Sequence, residues 1–268
     1  MAPTVSSNAP DRRYVVSSFT MIKGSMIDET YSVLAHWDLS LDKKSNLDRL
    51  RSENYIGAQS VNWLRDVAAV ISRRLEPSGI DRPLTVLAQG AMPIDEWKPI
   101  MLWHITRDEF LLRDFLVNWL FEAHQQGIYR IAPDDVVAFL GTISERGGRT
   151  EHAWTETTTR RVAAGLLKIA ADFGLLTNGP VKEFTHYHVP SRSLGYLLRA
   201  ILAHESGSAS RMIASPEWRM YLMTEDALAS ELLRLHQYRE VEFEQAGSVV
   251  QLSLPASEPL QFAQELVA

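Results

Sequence analysis

Apolar residues recur at helical spacing through most of the chain, and this pattern predicts a mostly α-helical fold. The most apolar segment is 110–121, which is apolar on nearly all sides and therefore predicts a buried central helix. Just before it, Thr106 to Glu109 has the form of a capping box, in which threonine and glutamate side chains satisfy free N–H groups at a helix start. We therefore expect this helix to begin near Thr106 and to end at Gly127, because glycine suits a helix C-terminus.

Segments 46–53 and 59–75 predict two further helices, joined by a short turn that contains Gly57. The second helix has an apolar stripe formed by Val61, Leu64, Ala68, Ile71 and Leu75. Its opposite face carries polar side chains, namely Gln59, Asn62, Asp66 and Arg73. Two helices in this order have the outline of a helix-turn-helix, an outline shared by many helical hairpins that bind nothing.

The segment 155–173 predicts an amphipathic helix with a short, basic outer face. Its core stripe is Val162, Leu166, Ile169 and Phe173, and the residues opposite are Thr157, Arg160, Arg161, Ala164 and Lys168. Gly174 is expected to end the helix in the left-handed conformation, and 181–189 predicts a small hairpin or an extended arm. With a helix over 133–140 that starts at Pro133, this order indicates a winged-helix-like middle segment, although the loop 144–154 is longer than a tight helix-turn-helix allows.

The last part of the chain predicts one helix, over 224–238, and a small β-hairpin. The hairpin strands, 240–245 and 249–254, alternate polar and apolar residues around a turn at 246–248. Glu240, Glu242 and Glu244 fall on one strand face, which is usually a solvated surface and otherwise a face for a basic partner.

Turn-forming residues divide the chain into four predicted parts. Residues 1–17 are expected to be a flexible N-terminal tail, and 18–128 to form a helical domain that contains the helix-turn-helix-like hairpin. Residues 129–205 form the winged-helix-like segment, and 206–268 the C-terminal helix with its acidic hairpin.

Composition excludes several classes of protein. Cysteine is absent from the 268 residues, so neither a disulfide nor a thiolate metal site is possible. No apolar run approaches the roughly 20 residues that a membrane span needs, and the first ten residues do not resemble a secretory signal, so we expect a cytoplasmic protein without membrane contact.

The net charge is −6, and from Glu217 onward there are nine acidic and three basic residues, so the remainder is balanced. Segments 43–82 and 146–168 are locally basic.

Motifs of common enzymes are missing. There is no phosphate-binding glycine loop, no dinucleotide-binding motif and no Gly-x-Ser-x-Gly, so we predict no cofactor and no small-molecule substrate. His186 and His188 would share one strand face, but two surface histidines are more often plain than metal ligands. A metal-dependent nuclease site can also be drawn from residues that are more often ion-pair partners or helix caps: Asp134, Asp135, Glu151, His152 and Glu156. We therefore predict no metal site.

Several segments together resemble the BrxA family, accessory proteins of the BREX bacteriophage-exclusion systems. These segments are Ser18-Phe19-Thr20, Lys23 to Met26, Asp28-Glu29, Arg73-Arg74-Leu75 and Thr155 to Leu176, and the resemblance spans about 17–202. It implies a bacterial cytoplasmic protein, encoded with a BREX methyltransferase and ATPase, that is not an enzyme. It also implies a mostly α-helical fold that is partly NusB-like and binds double-stranded DNA.

The resemblance fixes no contact residues, so the candidate DNA-binding residues come from the helix faces. They are Gln59, Asn62, Arg73, Arg146, Arg149, Thr157, Arg160, Arg161 and Lys168. Cationic side chains would neutralise phosphates, whereas Thr157, Asn62 and Gln59 would offer hydrogen bonds to bases or backbone. The alternative is a protein-interaction adaptor that docks other BREX proteins, through the acidic hairpin or an exposed apolar face, without touching DNA.

Overall fold

Helices dominate the computed structural model, which describes residues 14–150, 152–246 and 249–268. The helices, in chain order, are α1 Ser18–Lys23, α2 Ile27–Ala35, α3 Lys43–Glu53, α4 Val61–Arg74, α5 Arg82–Gln89, α6 Ile94–Thr106, α7 Phe110–Asp114, α8 Phe121–Gln125, α9 Pro133–Gly141, α10 Glu156–Asp172, α11 Ser191–His204, α12 Ala209–Ile213, α13 Glu225–Gln237 and α14 Pro259–Leu266. A π-helical segment, Phe115–Leu120, joins α7 to α8, and 3₁₀ turns occur at Ser144–Arg146 and Pro216–Tyr221. The predicted mostly α fold with a small C-terminal hairpin is confirmed.

Two small sheets accompany the helices in the described residues. Strands β3 (Glu242–Ala246) and β4 (Val249–Ser253) form the predicted antiparallel hairpin, with Phe243 opposite Leu252. Strands β1 (Val15–Val16) and β2 (Arg149–Thr150) pair in parallel. Most of the predicted flexible tail, residues 1–13, lies outside the described residues. Its last part differs from the prediction, because β1 is built into the fold and Val16 is only 4% exposed.

One continuous apolar core runs through the described helices, from Val16 to Ala263. Its C-terminal end packs back on the N-terminal half, since α14 contacts α5 as well as the nearer α11. The approach is close at Gly90, where an added Cβ would lie 2.2 Å from the Val267 side chain. The C-terminal segment is therefore held against α5, which precedes it by more than a hundred residues.

The predicted start of the central helix is wrong. Thr106 is the last residue of α6, and its hydroxyl donates to the carbonyls of Leu102 and Trp103 within that helix. The next helix begins at Phe110, and Glu109 turns inward to the Arg74 guanidinium instead of reaching back to a cap. The predicted helix start at Thr106 is wrong because residues 94–106 already form α6. The central helix is buried, as predicted, and Gly127 follows its end with φ +70°.

The predicted helical hairpin is present as α3 and α4. Ser60 caps α4 by accepting a hydrogen bond from the Trp63 N–H at 3.1 Å, and Gly57 has φ +66° in the connecting turn. Val61 departs from the predicted apolar stripe, because it is the first residue of α4 and is 78% exposed. The buried face of α4 begins only at Leu64.

Candidate nucleic-acid interface

Helix α10 has well-defined ends, as its sequence predicts. The Thr155 hydroxyl accepts a hydrogen bond from the Thr158 N–H at 3.2 Å, which satisfies one of the free donors of the first turn. After the helix, Gly174 has φ +85°, and the N–H groups of Gly174 and Leu175 donate back to the carbonyls of Ala171 and Ala170. These caps fix the length of the helix and therefore the positions of its outer side chains.

One side of α10 is pressed against α1 and α9. The contact with α1 is closest at Gly165, where an added Cβ would lie 2.3 Å from the Met21 carbonyl oxygen. The predicted core residues Val162, Leu166 and Ile169 are all fully buried. Packing on this side leaves only the opposite side of the helix to solvent.

The solvent face of α10 consists of the residues that the sequence predicted there. Thr157, Arg160, Arg161, Ala164 and Lys168 are all exposed and recur every three or four residues. Ala164 leaves the middle of this face shallow, with cations on both sides. We call these five residues the α10 face.

Two cations of the α10 face are engaged in surface ion pairs. Arg160 lies 3.5 Å from Asp134 and 3.4 Å from Glu156, and its side chain remains 57% exposed. Lys168 lies 2.9 Å from Asp172 and is 66% exposed. The pairs of Arg160 are exposed on both sides and contribute only about 0–1 kcal/mol, whereas Asp172 is 20% exposed and also accepts a hydrogen bond from Ser25. A phosphate can therefore replace the carboxylates beside Arg160 at small cost.

Arg161, Thr157 and Arg149 form no side-chain hydrogen bond or ion pair with the described residues. All three are exposed, and Arg149 belongs to β2 in the loop before α10. Their side chains are free to reach a ligand without first breaking a contact inside the described part of the protein.

Arg146 and Arg73 point into the protein instead. The Arg146 guanidinium donates to Asp114 at 2.7 Å and to the Phe139 carbonyl at 2.9 Å, and it stacks 3.8 Å from the Phe139 ring centroid. Arg73 donates to the Val15 carbonyl and lies 3.4 Å from the buried Glu109. Both arginines therefore hold segments of the fold in place, a role that their spacing in the sequence did not indicate.

Short β contacts flank α9 and α10. Ile131, before α9, pairs with Lys182, and Leu176, after α10, pairs with Phe184. The segment 181–189 was predicted to be a small hairpin or an extended arm. It makes one antiparallel bridge to Ile131 and one to Leu176, and it does not form a regular two-stranded hairpin. Two isolated bridges thus connect the segment around Lys182 and Phe184 to the residues just before α9 and just after α10.

The polar end of α4 approaches the C-terminal half of α10. Gln59 and Asn62 are both exposed there, and Asn62 accepts a hydrogen bond from Arg65. A groove with a volume of about 490 Å³ joins the two helices and includes Trp63 from α4 and Lys168 from the α10 face. Lys23, Lys98 and Asn178 also line this groove. No sequence signal brings these three residues together, because they come from segments far apart in the chain.

The histidines and acids considered as metal ligands do not gather. Within the described residues there is no group of three or more His, Cys, Asp or Glu side chains that can hold a metal ion. His186 and His188 are both exposed, and Asp134 and Glu156 meet Arg160 rather than each other. Glu151, part of the same hypothesis, lies outside the described residues.

No helix in the described ranges is long and apolar enough to cross a membrane.

Comparison with known proteins decides the family. The family model BrxA matches residues 17–200, which is more than half of the 268 residues. The chain belongs to the BrxA family. This membership makes it a BREX-associated protein and confirms the resemblance drawn from its sequence. The matched range includes the α10 face, the α3–α4 hairpin and the groove between them, so the candidate interface of this BrxA-family protein lies inside the family region. No curated protein matches the chain.

Proposed function

We propose that this BrxA-family protein is a non-enzymatic factor that binds double-stranded DNA in the bacterial cytoplasm as part of a BREX defence system. The observation that carries the proposal is the α10 face, where three cations and one threonine surround the small residue Ala164 on the solvent side of the helix. A helix with a shallow, basic face can approach a DNA groove closely, because no large side chain holds the backbone away from the phosphates.

The elements around α10 support this use of the helix. Ile131, helices α9 and α10, Leu176 and the bridged segment around Lys182 follow each other in the order of a winged helix. In a winged helix, the second of the two helices enters the major groove. In this arrangement α10 is the recognition helix, and the segment around Lys182 is the wing. Trp63 of α4 lines one groove with Lys168, and Gln59 and Asn62, near Trp63 in the chain, are exposed.

The charges favour weak binding that depends strongly on salt. The cations available for phosphate contacts are Arg149, Arg160, Arg161 and Lys168. Arg146 and Arg73 are held inside the fold, so they are not counted as phosphate contacts. Each phosphate contact contributes about 0.9 to the slope of log K against log salt, so four contacts give a slope of about −3 to −4. Specificity for a base sequence would come from Thr157 and the α4 amides.

A fluorescence-anisotropy titration tests the proposal directly. The probe is a labelled duplex of about 30 base pairs, roughly three turns, titrated at two salt concentrations. The test variant is Arg160→Ala/Arg161→Ala. The matched control, Arg82→Ala/Arg239→Ala, removes the same charge from two arginines that are exposed elsewhere. We expect the wild type and the control to bind with affinity that falls steeply with salt, and the test variant to lose most of that affinity.

Equal loss in both double variants would show that net charge, rather than the α10 face, determines affinity. Failure of the wild type to bind at low salt would overturn DNA binding altogether. Metal-dependent cleavage of the probe would overturn the non-enzymatic part of the proposal.

A second candidate function is that of an adaptor for other BREX proteins. Glu242 and Glu244 are exposed on one face of β3 while Phe243 between them is buried, so the hairpin presents carboxylates from a rigid strand. Co-purification with the other BREX components tests it. An adaptor predicts that Glu240→Gln/Glu242→Gln/Glu244→Gln abolishes the complex and that Arg160→Ala/Arg161→Ala leaves it intact.

A further inference from the structure

A second cleft, separate from the α10 face, lies where the N-terminal strand segment meets α6, α7 and the end of α11. Its volume is about 340 Å³, within the range of roughly 300–1,000 Å³ typical of small-ligand pockets. Aromatic and cationic side chains line it together with one carboxylate and one hydroxyl: Tyr14, Trp103, Arg107, Phe110, Arg113, His204, Glu217 and Thr106. The sequence gives no hint of it, because its walls come from three distant parts of the chain.

Aromatic rings form two walls of this cleft. Tyr14 and Phe110 lie side by side with ring centroids 5.6 Å apart, and Tyr14 is 46% exposed. On the other wall, His204 meets Trp103 edge to face at 5.6 Å. Trp103 is only 3% exposed, so the exposed rings that can stack a planar group such as a nucleobase are those of Tyr14 and His204.

Cationic and N–H groups lie between these walls. The Arg107 guanidinium is 5.2 Å from the Trp103 ring centroid and donates to His204 Nδ1 at 3.4 Å. Arginine only donates, so in the tautomer that accepts at Nδ1 the His204 Nε2 carries the hydrogen and is a further donor. Arg113 is held in place by the buried Glu217, whose Oε1 lies 2.8 Å from Arg113 Nε.

We propose that this cleft binds a nucleoside phosphate unit, with the base stacked on the aromatic walls and the phosphate held by Arg107. The remaining N–H groups of Arg107 and the imidazole N–H supply more donors than the two oxygens of a carboxylate need, whereas Arg113 already donates twice to Glu217 Oε1. A phosphate matches them better, because its three free oxygens accept hydrogen bonds from several directions. The assignment does not rest on the proposed binding of duplex DNA by α10.

The nucleotide unit can come from two sources, a free mononucleotide or a nucleotide within a strand. The second source is close at hand, because Phe110 lies directly against Gly148, where an added Cβ would be 2.8 Å from its ring. Gly148 precedes Arg149 in the loop that carries β2. The cleft therefore opens beside a cation already placed in the proposed DNA interface.

Isothermal titration calorimetry on the full chain tests this proposal. The probes are AMP and GMP, with adenosine and inorganic phosphate as the separated halves, each at concentrations up to about 1 mM. Arg107→Gln removes the phosphate contact, and Tyr14→Ala removes one aromatic wall without opening the core. Arg82→Gln is the matched control, an exposed arginine on α5.

We expect AMP or GMP to bind, each half-molecule to bind at least tenfold more weakly, and both cleft variants to lose about tenfold or more. Arg82→Gln should bind like the wild type, and thermal unfolding should show that all variants are folded. A 5′-phosphorylated dinucleotide distinguishes the sources: tighter binding than the mononucleotide indicates a strand, and weaker binding a free nucleotide. No binding of any nucleotide, equal binding of phosphate and AMP, or full affinity in Arg107→Gln would overturn the proposal.

Discussion

Arg74 and Arg160 are each followed or preceded by a second arginine in the sequence, but their roles differ. The difference follows from whether the partners of each guanidinium are buried or exposed. Arg74 is buried, donates to the carbonyls of Thr20, Gly24 and Ser25, and lies 3.4 Å from Glu109. Burial lowers the pKa of Arg74, and the Glu109 carboxylate opposes that shift. Arg160, by contrast, has only exposed carboxylates as partners. A buried pair stabilises only while both partners remain, whereas an exposed pair is readily exchanged.

Removing the buried guanidinium should destabilise the fold strongly. Arg74→Met leaves three carbonyls without a donor and Glu109 with only Arg73 near it, so we expect the free energy of unfolding to fall by roughly 3–5 kcal/mol. Urea denaturation followed by circular dichroism measures the change. Arg65→Met is the control on the exposed side of the same helix and should change stability by less than about 0.5 kcal/mol. Similar losses in the two variants would contradict a structural role for the buried guanidinium.

The carboxylates beside Arg160 should weaken DNA binding, because they compete with phosphate for the same guanidinium. Asp134 is 72% exposed and Glu156 81% exposed, so neither contributes to the core. We expect Asp134→Asn/Glu156→Gln to bind duplex DNA several-fold more tightly than the wild type at low salt, with a salt slope that stays at about −3 to −4, because Arg160 is already one of the four phosphate contacts. Anisotropy titrations at several salt concentrations measure both quantities. An unchanged affinity would show that Arg160 does not contact phosphate.

At the scale of whole elements, local sequence signals identified seven of the fourteen described α-helices, and not always their ends. Thr155 and Gly174 bracket α10 as predicted, because their caps use only neighbouring residues. The helix start predicted at Thr106 was wrong, because a capping pattern does not show whether the preceding segment is already helical. The α10 face was predictable from period alone, whereas the inward turn of Arg146 depends on Asp114, which lies 32 residues away.

Gly165 sets how closely α1 approaches α10, so enlarging it should push the two helices apart. An added methyl group would lie 2.3 Å from the Met21 carbonyl, a backbone atom that cannot move without its helix. We expect Gly165→Ala to lower the free energy of unfolding by about 1–3 kcal/mol. Gly141→Ala is the matched control, because nothing lies within 4 Å of its added Cβ and α9 should gain up to about 1 kcal/mol. Equal effects of the two changes in a thermal melt would refute the close contact.

At the scale of the whole molecule, the sites arise where distant segments meet. The groove beside Lys168 combines α2, α4 and α10, and the aromatic cleft combines the segment before β1 with α6 and α11. Composition and helical period could not reveal either one, since both depend on how the helices pack. The chain also separates its charge: the part from Glu217 onward carries three basic and nine acidic residues, while the α10 face lies in the balanced part.

This separation of charge should reduce affinity for a polyanion at long range. The exposed side chains of Glu240, Glu242 and Glu244 can be changed without touching the core. We expect Glu240→Gln/Glu242→Gln/Glu244→Gln to bind duplex DNA a few-fold more tightly at about 10 mM salt, where the screening length is roughly 30 Å. At about 150 mM salt, where that length is roughly 8 Å, the gain should vanish.

The triple change to aspartate keeps the charge and is the matched control, so it should bind DNA like the wild type at both salt concentrations. A gain that persisted at high salt would point to a direct contact between the hairpin and DNA rather than to repulsion across the molecule. The same two variants also separate the two proposed functions. An adaptor surface that recognises carboxylates loses its partner in the glutamine variant whatever the salt concentration, whereas a remote acidic surface affects only DNA and only where screening is weak.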